Sequence, residues 1–299
     1  MHSTRFCGSI MMHEPNSVGP PASLEATLKY FFAPLRSSGD RPPLFCIFPG
    51  PPGARDLADC LPEDQPVYEF YSFAKADGAS SFPTVEQLAA AYLEDIRRVQ
   101  PRGPRQLCGY SKGGLIAYEM ARLLLNQNED VSMLVLFGTR HPAFTQNLTT
   151  KEMAKFKILY IVNRLGKYAR NLVRLRFDRV AADALELLLK RSKMVGWRTI
   201  RPFFRAVNRP VPKSMRGAET NVSLWAYNPQ PYSKRFVVLR PRDFVLDKLN
   251  DQTLGWHACA TGGVDIYLVP GDHSTMIYKP HVRGLVDIIK PMLAGAQLP

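Results

Sequence analysis

Arg105-Gln106-Leu107-Cys108-Gly109-Tyr110-Ser111-Lys112-Gly113-Gly114 is the stretch on which the fold turns. Its centre, Gly109-Tyr110-Ser111-Lys112-Gly113, has the form G-x-S-x-G, a sharp strand-to-helix turn that presents a serine hydroxyl. The flanks agree with that form. Residues 105–108 suit a short buried strand, and from Gly114 to Leu125 the residues Leu115, Tyr118, Ala121 and Leu125 recur at helical spacing. A Cβ at position 109 or 113 would crowd strand against helix, which gives both glycines a steric reason.

Working outward, Leu44–Phe48 is a continuous apolar run of the kind buried on both faces of a parallel sheet, and Val67–Tyr71 is a second strand. Thr84-Val85-Glu86-Gln87 has the pattern of a capping box, with Leu88, Tyr92 and Ile96 continuing a helix. Met133–Phe137 follows the elbow helix as a further strand. Strands alternating with helices predict a doubly wound, mostly parallel sheet. The alternation stops near residue 145. Residues 151–205 read as helices, and on the wheel of 151–176 Ile158, Ile161, Val162, Leu165, Ala169 and Leu172 lie opposite Lys157, Arg164, Lys167 and Arg174. Strands are expected to resume at Val222–Ala226 and Phe236–Leu239. The expected organisation is an N-terminal arm over 1–40, a core over 41–148 and 216–299, and a basic helical insertion over 149–215.

A serine needs a base to act as a nucleophile. Of the six histidines, His273 follows the apolar strand Val264–Val269 and a Pro270-Gly271-Asp272 turn, which places it at the carboxyl end of a strand, where open α/β sheets gather their chemistry. His2 and His13 fall in the irregular N-terminus; His141, His257 and His281 lack comparable placement, although His141 lies near a strand end. The acid that orients the imidazole is expected after a strand. Gly138 and Thr139 follow Met133–Phe137 and are not acids, so Asp243, past the strand Arg235–Arg240, is the first choice and Asp247 the second. The oxyanion calls for two backbone N–H groups. Lys112 supplies one. The loop Pro49-Gly50-Pro51-Pro52-Gly53-Ala54 supplies the other from Gly50, Gly53 or Ala54, since prolines have none.

The loop Phe48-Pro49-Gly50-x-x-Gly53, the elbow with Gly114, the ending Val269-Pro270-Gly271-Asp272-His273 and the pair Gly255-Trp256 together resemble the thioesterases of nonribosomal peptide and polyketide synthesis. The resemblance covers roughly residues 42–295. It implies an α/β-hydrolase fold with a helical lid over 149–215. It also implies attack by Ser111, with His273 as base, on an acyl or peptidyl thioester carried by the phosphopantetheine arm of a carrier protein, and no resident cofactor. In many fused members of that family the triad aspartate stands where this chain has Gly138; in many stand-alone members it follows the next strand, as Asp243 does.

The chain has 299 residues, with 39 Lys and Arg against 26 Asp and Glu, a net charge of +13. Residues 151–219 hold 18 of those basic and 5 of those acidic residues, so the whole excess lies in the insertion. Arg and Lys suit phosphate contacts, so Arg164, Lys167 and Arg174 are candidates for docking an acidic, phosphate-bearing carrier. A membrane surface or nucleic acid would also attract such a face, but neither needs a serine nucleophile. The five cysteines show no metal-type spacing, and Cys46 and Cys108 read as small apolar fillers of buried strands. Their odd number and the lack of a secretory pattern point to a reducing cytoplasm. No run of about 18 apolar residues is present to span a bilayer. Two other activities share these motifs: an acyltransferase or cyclase that passes the acyl group to an amine or alcohol, and a catalytically silent module that binds acyl chains or carriers.

Overall fold

The computed structural model describes residues 28–29, 32–50, 53–71, 75–76, 83–145, 149–155, 158, 162, 192, 195–203, 206–207, 212, 215–242 and 252–295. Its strands are β1 (Leu28–Lys29), β2 (Phe32–Arg36), β3 (Leu44–Ile47), β4 (Val67–Phe70), β5 (Lys75–Ala76), β6 (Arg105–Tyr110), β7 (Val131–Phe137), β8 (Phe236–Pro241) and β9 (Val264–Val269). β1 and β5 form a small antiparallel ribbon. The other seven form one sheet in the order β2-β4-β3-β6-β7-β8-β9, in which only the edge pair β2–β4 is antiparallel.

Side chains alternate across this sheet, so each strand feeds two apolar layers. Phe45 and Ile47 of β3, with Leu107, Leu134 and Leu136, pack under α2 (Val85–Val99) and α3 (Lys112–Asn126). Leu44 and Cys46, with Cys108, Met133, Val135 and Val269, pack under α1 (Arg55–Cys60) and α5 (Val282–Leu293). The result is a sheet covered by helices on both faces, the α/β-hydrolase architecture. Cys46 and Cys108 face each other in register on β3 and β6, both wholly buried, with sulfurs 3.3 Å apart. The Thr84–Gln87 capping box is formed in full at the start of α2.

Two stretches differ from the sequence reading. Val222–Ala226, expected as a strand, lies largely within α4 (Arg216–Trp225). Buried Glu219, Ser223 and Leu224 share a helical face, and a short apolar run alone does not separate helix from strand. Phe32–Arg36, within the span expected as an arm, is the edge strand β2, and Phe32 stacks on Phe70 with ring centroids 4.5 Å apart. Pro34 in its middle, which fits only an edge, masked the strand pattern.

Of the insertion, the described parts include helical residues 150–155 and 195–203. The second of these is tied to α4. Fully buried Glu219 accepts hydrogen bonds from the Trp197 indole and from Nε and Nη2 of Arg201, the latter two at 2.7 and 3.0 Å. A fork-to-fork contact of this kind fixes orientation as well as distance. Arg164, Lys167 and Arg174 lie outside the described residues.

Candidate active site

The elbow is built from β6 into α3. Ser111 has φ 55° and ψ −118°, a conformation that non-glycine residues avoid and that is held only where surrounding structure dictates it. The restraints are visible: Ser111 N–H donates to Phe137 O at 2.8 Å, and Thr139 Oγ1 donates to Ser111 O at 2.9 Å. The turn is tight enough that a Cβ at Gly109 would lie 2.6 Å from Gly113 O, and one at Gly113 would lie 2.0 Å from Ile47 O. Glycine is the only residue that fits at either place.

His273 sits on the loop after β9. Its Nε2 lies 3.1 Å from Ser111 Oγ, within hydrogen-bond reach across 162 residues of chain. The imidazole stacks on the Tyr110 ring, with centroids 5.2 Å apart, and the Tyr110 hydroxyl donates to the His273 carbonyl. Burial pushes that phenol up to about 12, so it stays protonated as a donor. Burial, followed by the positive charge of Arg140, holds the His273 imidazole down at about 4, while Asp272 acts the other way.

Asp272, the nearest acid in sequence, is occupied elsewhere. Its Oδ1 accepts from the backbone and hydroxyl of Ser274 and of Thr275 at 2.8–3.0 Å. Burial alone would raise this carboxyl; the four donors override it and hold it below its ordinary value. His141 is built into the core instead: its ring lies edge-on to Trp256 and its Nδ1 accepts the Ala143 N–H at 3.1 Å. Trp256, of the Gly255-Trp256 pair, is fully buried and donates to Thr139 O at 2.9 Å, which secures the segment after β7. Asp243 and Asp247 lie outside the described residues.

Gly138, at φ +58°, forms the floor beneath the imidazole. A Cβ there would stand 2.7 Å from His273 Nδ1 and 3.1 Å from its Cε1. The ring therefore occupies the space that a side chain at 138 would need, and a carboxylate there would compete with it. Gly138→Ala is expected to lower kcat/KM about 100-fold, the cost of roughly 1 Å of misplacement, with KM little changed. The left-handed backbone adds about 1 kcal/mol of instability. Steady-state kinetics beside a thermal melt check both.

Lys112 opens α3, so its N–H lies at the positive end of that helix. The loop after β3 is arranged differently. Gly50 N–H donates to Tyr71 O at 2.7 Å, Gly53 N–H to Gly50 O at 2.9 Å, and Ala54 N–H to Glu69 Oε1 at 2.6 Å. Each of the three donors expected to serve the oxyanion is thus engaged within the protein in this form of the loop. Glu69 was not singled out from sequence, although a carboxylate inside the apolar run Val67-Tyr68-Glu69-Phe70 is the signal that marks it.

The family model described as Thioesterase domain matches residues 44–293. Atromentin synthetase of Tapinella panuoides is 31% identical over 296 residues, covering 89% of this chain and 28% of that protein. The dimodular nonribosomal peptide synthase of Bacillus subtilis (strain 168) is 40% identical over 110 residues, 34% of this chain and 4% of that protein. The non-reducing polyketide synthase atnG of an Arthrinium species is 29% identical over 241 residues, 80% of this chain and 12% of that one. The chain thus spans less than a third of the relatives it matches. Among solved structures, the NocB thioesterase domain in covalent complex with a fluorophosphonate nocardicin G analogue superposes with a TM-score of 0.56 at 21% identity, covering 88% of this chain and 99% of that one. At that identity the likeness speaks for the fold. Among the described residues no helix is long and apolar enough to cross a membrane.

Proposed function

This chain belongs to the thioesterase domain family, and from that premise we propose that it is a serine acyl-thioesterase that releases an acyl or peptidyl group from the phosphopantetheine thioester of a carrier protein. The observation that carries this reading is the 3.1 Å contact between Ser111 Oγ and His273 Nε2 at the carboxyl ends of the strands. The relatives, being synthetases of peptides and polyketides, support the substrate class.

The chemistry follows from the placement. Ser111 Oγ attacks the thioester carbonyl carbon while His273 Nε2 takes its proton. The oxyanion forms beside the Lys112 N–H at the start of α3. As the tetrahedral carbon collapses, the C–S bond breaks and the leaving thiol takes the proton from the imidazolium. Water then attacks the Ser111 ester with His273 again as base, the Oγ–C bond breaks as Ser111 takes the proton back from the imidazolium, and the acid leaves. Asp243, with Asp247 as second candidate, orients the imidazole.

The basic insertion provides the carrier's landing surface through Arg164, Lys167 and Arg174. Charge complementarity of this kind acts on encounter more than on chemistry. The test compares hydrolysis of one acyl group on a carrier protein, on coenzyme A and on a simple oxygen ester. The carrier thioester is expected to have the highest kcat/KM. Changing Arg164, Lys167 and Arg174 together to Glu is expected to raise KM for the carrier substrate roughly tenfold and leave the oxygen ester unaffected. Equal rates on all three substrates would remove the carrier from the reading.

A further inference from the structure

Glu69 is the charged residue of β4 and is 5% exposed. Across the sheet it lies opposite Cys46 on β3 and Ala33 on β2. Its carboxylate reaches the loop that precedes α1, where it accepts the Ala54 N–H at 2.6 Å. Gly53 lies close against it: a Cβ there would stand 2.0 Å from Oε1. The same loop borders the elbow, since a Cβ at Gly113 would lie 2.9 Å from Pro49 Cδ. One buried carboxylate therefore holds the segment that the sequence marks as the source of the second oxyanion donor.

We propose that Glu69 is a positioning residue that latches the oxyanion loop: ionised, it keeps the Ala54 N–H inside the loop, and neutral, it yields that N–H to the oxyanion formed at Ser111. The inference rests on the reading of Ser111 as nucleophile. Of the candidate second donors, Gly50 and Gly53 give their N–H groups to main-chain carbonyls, which do not titrate, whereas Ala54 gives its own to a group that does. A hydrogen bond to a carboxylate is roughly twice as strong as one to a neutral oxygen, so protonation loosens the hold.

Burial moves Glu69 up to about 7, with the Ala54 N–H and the positive Arg55 at the start of α1 working against that rise. The other groups near it do not compete in this range. The Cys46 thiol is pushed well above its ordinary value by burial and by its contact with Cys108, so it is neutral. Asp56 and Asp59 of α1 are turned to the backbone N–H and the ammonium of Lys279. β2 offers Ala33, which carries no charge.

The experiment follows the rate of covalent labelling of the full chain by a fluorophosphonate across pH, in wild type and Glu69→Gln. The glutamine keeps the shape and a neutral acceptor but does not titrate. Wild type is expected to label about 100-fold more slowly above pH ~7 than below it, the low end of the cost of one lost oxyanion donor. In Glu69→Gln this alkaline decline is expected to vanish, so that the variant labels faster than wild type at high pH. A variant that keeps the decline, or that is slowed equally at every pH, overturns the latch and leaves Ser111 standing. A wild type that takes no label at any pH overturns the Ser111 reading and the latch together. Thermal melts give a second readout. The folded chain retains a proton on Glu69 that the unfolded chain has released, so wild type loses stability as pH rises from 4.5 through about 7 and levels off above. Glu69→Gln lacks that slope; identical melting profiles in the two chains would show that Glu69 does not titrate there, and would also end the proposal.

Discussion

Ser111→Ala is expected to abolish labelling by a fluorophosphonate and to lower kcat on a thioester by about a million-fold, with KM nearly unchanged. The size follows from what the side chain does. Its oxygen forms the covalent bond, and no neighbouring group in the elbow can replace it: Tyr110 is turned to the His273 carbonyl and Thr139 to the carbonyl of residue 111 itself. His273→Ala is expected to cost nearly as much, because a serine hydroxyl without a base 3.1 Å away is a weak nucleophile at neutral pH. The double variant is then expected to be no worse than either single one, since two parts of one device cannot each be lost in full. A thermal melt separates this from a folding defect: the variants should melt like the parent, since alanine keeps the Cβ and with it the strain at the φ of 55° that residue 111 holds. Full labelling of Ser111→Ala would show that another nucleophile takes the probe.

The elements that were legible from sequence are those whose cause is local. A short buried strand running into Gly109-Tyr110-Ser111-Lys112-Gly113 marks β6 and α3, because only that turn needs two missing Cβ atoms around one presented hydroxyl. The capping box at Thr84, the buried run at 44–48 and the apolar strand pattern at 264–269 are legible for the same reason. The elements that were not legible are set by distant partners. α4 is a helix in a stretch with a strand-like composition because Glu219 must meet Trp197 and Arg201 on one face. β2 exists because Phe32 finds Phe70, in a segment that proline makes look irregular. At the candidate site, the serine and histidine announce themselves by motif. The state of the oxyanion loop does not, because the N–H of Ala54 is claimed by a carboxylate fifteen positions away. Gly138 illustrates both sides: the missing acid at that position is plain from sequence, whereas its reason, an imidazole resting on the glycine, requires the packed structure.

Asp243→Asn carries the second large expectation. Burial and Arg140 together hold the His273 imidazole at about 4, which leaves it neutral and able to accept a proton but a poor stabiliser of the charge it acquires. An orienting carboxylate at Nδ1 works against both by favouring the protonated ring, so its removal moves the acid limb of the kcat/KM profile to lower pH. Asp272 is drawn into its own turn, where its Oδ1 takes four donors from Ser274 and Thr275. Gly138 has no side chain to offer. The proposed acid therefore comes from the segment after β8, whose end lies beside β9 through the pairing of Pro241 with Val269, four residues before His273. Removing its charge is expected to lower kcat about 10⁴-fold, the loss seen when the orienting carboxylate of such a triad becomes an amide. The acid limb is expected to move to lower pH in the same variant, a shift that a merely structural change would not produce. Asp247→Asn serves as the control. If it, rather than Asp243→Asn, moves the limb and the rate together, the orienting acid is Asp247; if neither does, His273 works without a carboxylate partner, and the burial that depresses its pKa limits the enzyme's rate.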